Sequence, residues 1–151
     1  MMSPNAFAER YVALWNETDP QARRRKVDEL YSPDAVYIFY RRDPFRGREA
    51  IAEQVTYTAD LYHPMGYVFR PAYTAIGHHN LVRFNWAMVH RDTGDLQMAG
   101  QNVVALDENG LIVEDYQFHD RIPTAFRYND GFDETGKVTR KASPIPVAAG
   151  Q

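Results

Sequence analysis

The sequence predicts an α+β fold, and three observations carry that prediction. Helical periodicity dominates the chain up to Tyr62. From Tyr67 to Ile122 it gives way to alternating runs separated by short turns. A β-branched and aromatic run, Ala35 to Arg41, lies among the helices and adds an earlier strand to the later antiparallel meander. With 151 residues the chain fits one domain. That domain is expected over residues 1–122. Residues 123–151 form a polar C-terminal extension rich in Gly and Pro, expected to be extended or mobile.

Ser3-Pro4 reads as an N-cap followed by proline at the first helical position. Phe7, Tyr11, Leu14 and Trp15 then share one helix face. Asp19-Pro20 repeats the signal and opens a second helix to about Leu30. Its run Arg23-Arg24-Arg25-Lys26 reads as a solvated face. Ser32-Pro33-Asp34 is a turn signal before the first strand, and residues 42–46 read as a loop. Gly47 to Tyr62 is helical, with Ile51, Val55, Ala59 and Tyr62 on one stripe, and His63-Pro64-Met65-Gly66 ends it. Four strands come next: Tyr67–Ile76, Leu81–Arg91, Leu96–Leu106 and Leu111–Ile122. Asp107-Glu108-Asn109-Gly110 is the strongest turn among them.

Composition removes several functional classes. There is no cysteine, hence no disulfide, thiolate nucleophile or cysteine-ligated metal. The longest apolar run, Ala35 to Tyr40, is too short to span a bilayer. Met1 to Arg10 lacks the charged-then-apolar order of a signal peptide, so a cytoplasmic setting is expected. The net charge of −3 with dispersed basic residues argues against nucleic-acid binding, and no membrane partner is expected. The aromatic share is 13%, with ten Tyr, eight Phe and two Trp. So many rings fill a core or line a cavity.

Strand alternation predicts which side chains meet. Val82, Phe84, Trp86, Met88 and His90 form one row, and Leu96, Met98, Gly100, Asn102, Val104 and Leu106 another. In the last strand Ile112, Glu114, Tyr116, Phe118 and Asp120 share a row, which is expected to face inward. Tyr37 and Phe39 share one with Arg41. Asn102 and Asp120 are then the polar members of a ring-lined interior. A partly desolvated Asp120 could move a proton near neutral pH. The plainer alternatives are a strand-end carboxylate in solvent and a hydrogen-bonded core amide.

Known motifs are nearly absent. Gly131 to Val138 approaches a phosphate-binding loop, but Val138 replaces the required hydroxyl residue, so the match reads as chance. No two of the five histidines stand at helical ligand spacing; no metal site and no cofactor are expected.

Three segments carry a resemblance: Tyr11 to Asp19, Leu30 to Tyr37 and Gly47 to Ile51. Arg83 to Trp86, Gly100 to Val103, Asn109 to Ile112 and Phe118-His119-Asp120 continue it in order. Over roughly residues 6–121 the chain resembles nuclear-transport-factor-2-like proteins, most of all the SnoaL-like, polyketide-cyclase-like domains. The resemblance implies a cone-shaped barrel: a strongly curved, mostly antiparallel sheet wraps the helices and leaves a pocket open at one end. Homodimers through the outer sheet face are common in that superfamily. It also implies an acid/base carboxylate at Asp120 and a phenol donor to a developing oxyanion at Tyr11. Isomerase-like members carry an Asp-Pro base at the end of the first long strand. The matching place here is near Phe39-Tyr40, and Asp43-Pro44 stands four residues later.

Two functions stand close together. One is a cofactor-independent isomerase, cyclase or lyase on a small hydrophobic or aromatic molecule. In it Asp120, Asn102 and Tyr11 do the chemistry, and Trp15, Tyr37, Phe39, Phe84, Trp86 and Phe118 bind the substrate. The other is a non-catalytic binding module, suggested by Phe39 where a base would stand. A dimerisation domain is the third possibility.

Overall fold

The computed structural model describes residues 2–39 and 42–121. Arg41, the extension at 123–151 and the near-motif at 131–138 lie outside the described residues. Helices α1 (Pro4–Asn16), α2 (Pro20–Leu30) and α3 (Gly47–Tyr62) accompany strands β1 (Tyr31–Ile38), β2 (Phe45–Arg46), β3 (Tyr67–His78), β4 (Leu81–His90), β5 (Leu96–Leu106) and β6 (Ile112–Arg121).

Local chemistry starts the helices where the sequence places them. Ser3 Oγ accepts from the Ala6 amide at 3.2 Å, and Asp19 Oδ2 from the Ala22 amide at 3.1 Å. Two asparagines then tie α1 to β3. Asn5 Oδ1 accepts from the Ala75 amide at 2.8 Å. Asn16 exchanges two bonds with the Phe69 backbone, at 2.7 and 2.8 Å, as a neighbouring strand would. The basic run on α2 is solvated except at Arg23, which is buried. Its guanidinium donates to the Glu17 carbonyl at 2.8 and 3.1 Å and to Thr56 Oγ1 at 3.3 Å, locking α2 to α3.

The sheet has six strands in the order β2-β1-β6-β5-β4-β3. Only β1 and β6 pair parallel; the other neighbours are antiparallel. The resemblance implied a barrel, but among the described residues the sheet stays open, with β2 and β3 at its outer edges. The first strand begins at Tyr31, earlier than predicted, and Ser32-Pro33-Asp34 bulges within it where a turn was expected. Phe45 and Arg46, read as loop, pair with Tyr37 and Val36.

On β4 and β5 the predicted inward rows hold through the strand centres, where Val82, Phe84, Trp86, Met88, Met98, Asn102 and Val104 are all buried. Leu96 is corrected, since a register shift next to Met88 and Met98 leaves it 39% exposed. On β6 the row reverses. Leu106 pairs with Ile112, but Ala105 pairs with Glu114, so Val113 is an extra residue. A one-residue bulge switches every later side chain to the opposite face. Beyond it Asp115 is buried, while Phe118 is 56% exposed and Asp120 is exposed. The expected inward placement of Phe118 and Asp120 is therefore corrected.

Candidate functional site

Two neighbouring features occupy the interior that this register creates. The first is a buried polar network. Asp115 Oδ2 accepts from Tyr11 Oη at 2.6 Å and Tyr31 Oη at 2.7 Å, and its Oδ1 accepts from Asn102 Nδ2 at 2.6 Å. Asn102 Nδ2 also donates to Tyr11 Oη at 2.9 Å, and Trp86 Nε1 donates to Asn102 Oδ1 at 2.8 Å. Asp115 and Asn102 are fully buried. Burial pushes the Asp115 carboxyl up to about 6, with the three donors holding it back from rising further. The Tyr11 and Tyr31 phenols are raised well above their ordinary value, first by burial and then by the Asp115 charge. Every strong acceptor here has its donors, so the network can fix geometry around itself.

The second feature is a pocket with about 650 Å³ of empty space, counting that at its open mouth. Tyr11 and Trp15 of α1, Tyr37 of β1, Phe39, Phe69 of β3 and Trp86 of β4 supply ring surface. Trp15 meets Tyr37 with centroids 5.7 Å apart, and Phe69 meets Trp86 edge-on at 5.7 Å. Gln54 and Thr58, one turn apart on α3, add a polar strip. Opposite them, β6 contributes Gln117 and His119. Tyr37 Oη donates to Gln117 Oε1 at 2.9 Å, which fixes the amide beside the ring wall. His119 packs edge-on against Trp86 at 5.9 Å and near Phe39 at 6.3 Å. Burial among these rings pushes its imidazole down to about 4, so it is neutral at pH 7.

The structure separates the sequence-predicted residues. Trp15, Tyr37, Phe39 and Trp86 line the pocket. Tyr11 lines it with its ring, but its hydroxyl proton goes to Asp115, so the phenol has no proton to offer an oxyanion. Asn102 lies behind Trp86, in the network. Phe84, 1% exposed, is packed on Phe7 and Tyr11 in the core and is not in the pocket wall. Phe118 and Asp120 are outside, and the Asp120 mechanism fails for that reason. Asp43 is exposed and does not reach the pocket. Sequence reasoning misses Asp115, Gln117 and His119 because the bulge is a single inserted residue. Their polar row within an aromatic strand is the one available signal.

Residues 8–115 match the family model of the SnoaL-like domain. A SnoaL-like family protein from Agrobacterium tumefaciens, proposed to be an isomerase, superposes with a TM-score of 0.72 at 30% identity, covering 80% of this chain and 100% of that one. A protein from Sinorhizobium meliloti proposed to be a polyketide cyclase gives 0.57 at 16% identity, covering 74% and 93%. A Catenulispora acidiphila protein with a ketosteroid isomerase-like fold, in complex with trimethylamine, gives 0.58 at 15%, covering 74% and 83%. No protein of curated function matches the chain. Gln117 and His119 lie just past the segment that the family model matches.

Proposed function

Because the chain belongs to the SnoaL-like domain family, we propose that it binds a small, flat hydrophobic molecule in this pocket and catalyses cofactor-independent proton transfer on it, as an isomerase, cyclase or lyase. The observation that carries the proposal is His119: a neutral imidazole in the wall of a ring-lined pocket. A neutral imidazole can accept a proton, and a poorly solvated imidazolium gives it back readily. A base this weak suits a C–H bond already acidified by a neighbouring carbonyl. Gln117 and the rings of Trp15 and Trp86 would hold the molecule flat beside it. An isomerase-type neighbour at 30% identity, together with this wall, supports the enzymatic class.

The test uses 2-tetralone, a flat aromatic ketone. Binding is read from indole fluorescence, since Trp15 and Trp86 both line the pocket. Proton transfer is read by NMR as deuterium uptake at the carbon between ring and carbonyl. Wild type is expected to bind and to accelerate exchange, and His119→Gln to bind but lose most of the acceleration, on the order of 100-fold. Unchanged exchange in His119→Gln would reject the histidine's role. Binding without accelerated exchange in wild type would favour the non-catalytic binding module. That second reading has its own support: no carboxylate is among the described pocket-lining residues.

A further inference from the structure

We infer that the molecule this pocket takes carries a carboxylate, held at the pocket by Arg42; the inference rests on the small-molecule reading above and names the substrate class. Arg42 is the one charged side chain among the described lining residues. It forms no ion pair among the described residues, although exposed Asp43 is its neighbour in sequence. Its amide donates to the Phe39 carbonyl at 3.3 Å, which keeps its backbone beside the ring wall. There the guanidinium carbon lies 5.7 Å from the Phe39 centroid. Phe39 in turn stacks on Tyr37 and Phe45, at 5.3 and 5.8 Å, so the platform under the cation is well packed.

The nearest buried acid does not neutralise this charge. Asp115 sits behind Tyr11 with three donors of its own. Arg42 is therefore a half-buried cation beside an apolar cavity, without an anion among the described residues. Such a cation is partly desolvated, and a carboxylate offers it two parallel hydrogen bonds while the hydrophobic body of the same molecule fills the ring-lined space. A cationic ligand would meet repulsion at the same place, even though the aromatic walls alone would attract it.

Isothermal titration with 2-naphthoate, its methyl ester and 2-naphthylmethylammonium separates these contributions. Wild type is expected to bind the carboxylate about tenfold more tightly than the ester, and the ammonium most weakly. In Arg42→Gln the carboxylate should fall to within about twofold of the ester, with ester affinity unchanged. Arg42→Lys should restore part of the gap. Equal binding of acid and ester in wild type, equal losses for both in Arg42→Gln, or tightest binding of the ammonium would each overturn the inference and leave the small-molecule pocket standing. Binding of none of the three would overturn both.

Discussion

Asp115 shows how one buried side chain organises a region it does not touch as a reactant. It accepts from two phenols and an amide, and through Asn102 it fixes the Trp86 indole that forms a pocket wall. Asp115→Ala leaves three buried donors without their acceptor, and about 3 kcal/mol of stability should be lost in urea denaturation. A loss under about 0.5 kcal/mol would contradict the network. The pH dependence has a definite sign. The folded carboxyl is raised from 3.8 to about 6, so the native state holds the proton more firmly. The Asp115 contribution is complete below its unfolded value and is lost as pH rises through 6. The cost of Asp115→Ala should thus be greater at pH 4 than at pH 7. Tyr11 and Asn102 are legible in the sequence as polar members of apolar rows. Their acceptor is not, because simple alternation puts its row on the wrong face.

At the scale of elements, the helices come directly from the sequence. Ser3-Pro4 and Asp19-Pro20 cap them as expected, and the turn at Asp107 to Gly110 leads into the last strand. Alternation predicts β4 and β5 because those strands run in unbroken register through their centres. It fails on β6, where Val113 inserts one residue next to the turn and reverses the facing of the rest of the strand. The apolar character of Ile112, Tyr116 and Phe118 points the wrong way: Ile112 precedes the bulge and is buried, while Phe118 lies beyond it and is exposed. Gly100 has a complementary role on β5. A Cβ there would press on the Phe118 carbonyl oxygen and stand 2.6 Å from Trp86 Cζ2. The glycine lets the indole lie close against the strand and still reach Asn102. Gly100→Ala should cost about 1–3 kcal/mol and alter the near-ultraviolet dichroism of the tryptophans. Unchanged stability and spectrum would mean the indole is not wedged there.

For the whole molecule, the order and spacing of weak motifs make the family legible, and the fold agrees with it as an open sheet. The pocket's chemistry is less legible, since it depends on β6 register and on Arg42 and α3 residues that no row analysis brings together. We propose that the outward face of β6 also serves a second copy of the chain. Phe118 is 56% exposed on an interior strand of the sheet, and its ring is the contact this dimer would use. Light scattering should give a dimer that Phe118→Glu converts to monomer; a monomeric wild type would remove this proposal. No helix among the described residues is long and apolar enough to cross a membrane.

His119 lines the pocket, and burial among its rings holds the imidazole neutral at pH 7. Its imidazole is lowered from 6.5 to about 4, so the stability tied to its neutral form is complete above 6.5 and is lost as pH falls through 4. The most direct measurement is an NMR titration of the His119 ring, assigned with His119→Gln, in the free protein and with 2-tetralone bound. The expected result is a midpoint near 4 in the free protein and a ring resonance at pH 7 that moves as ligand is added. A midpoint at or above 6.5, with a resonance indifferent to ligand, would contradict it.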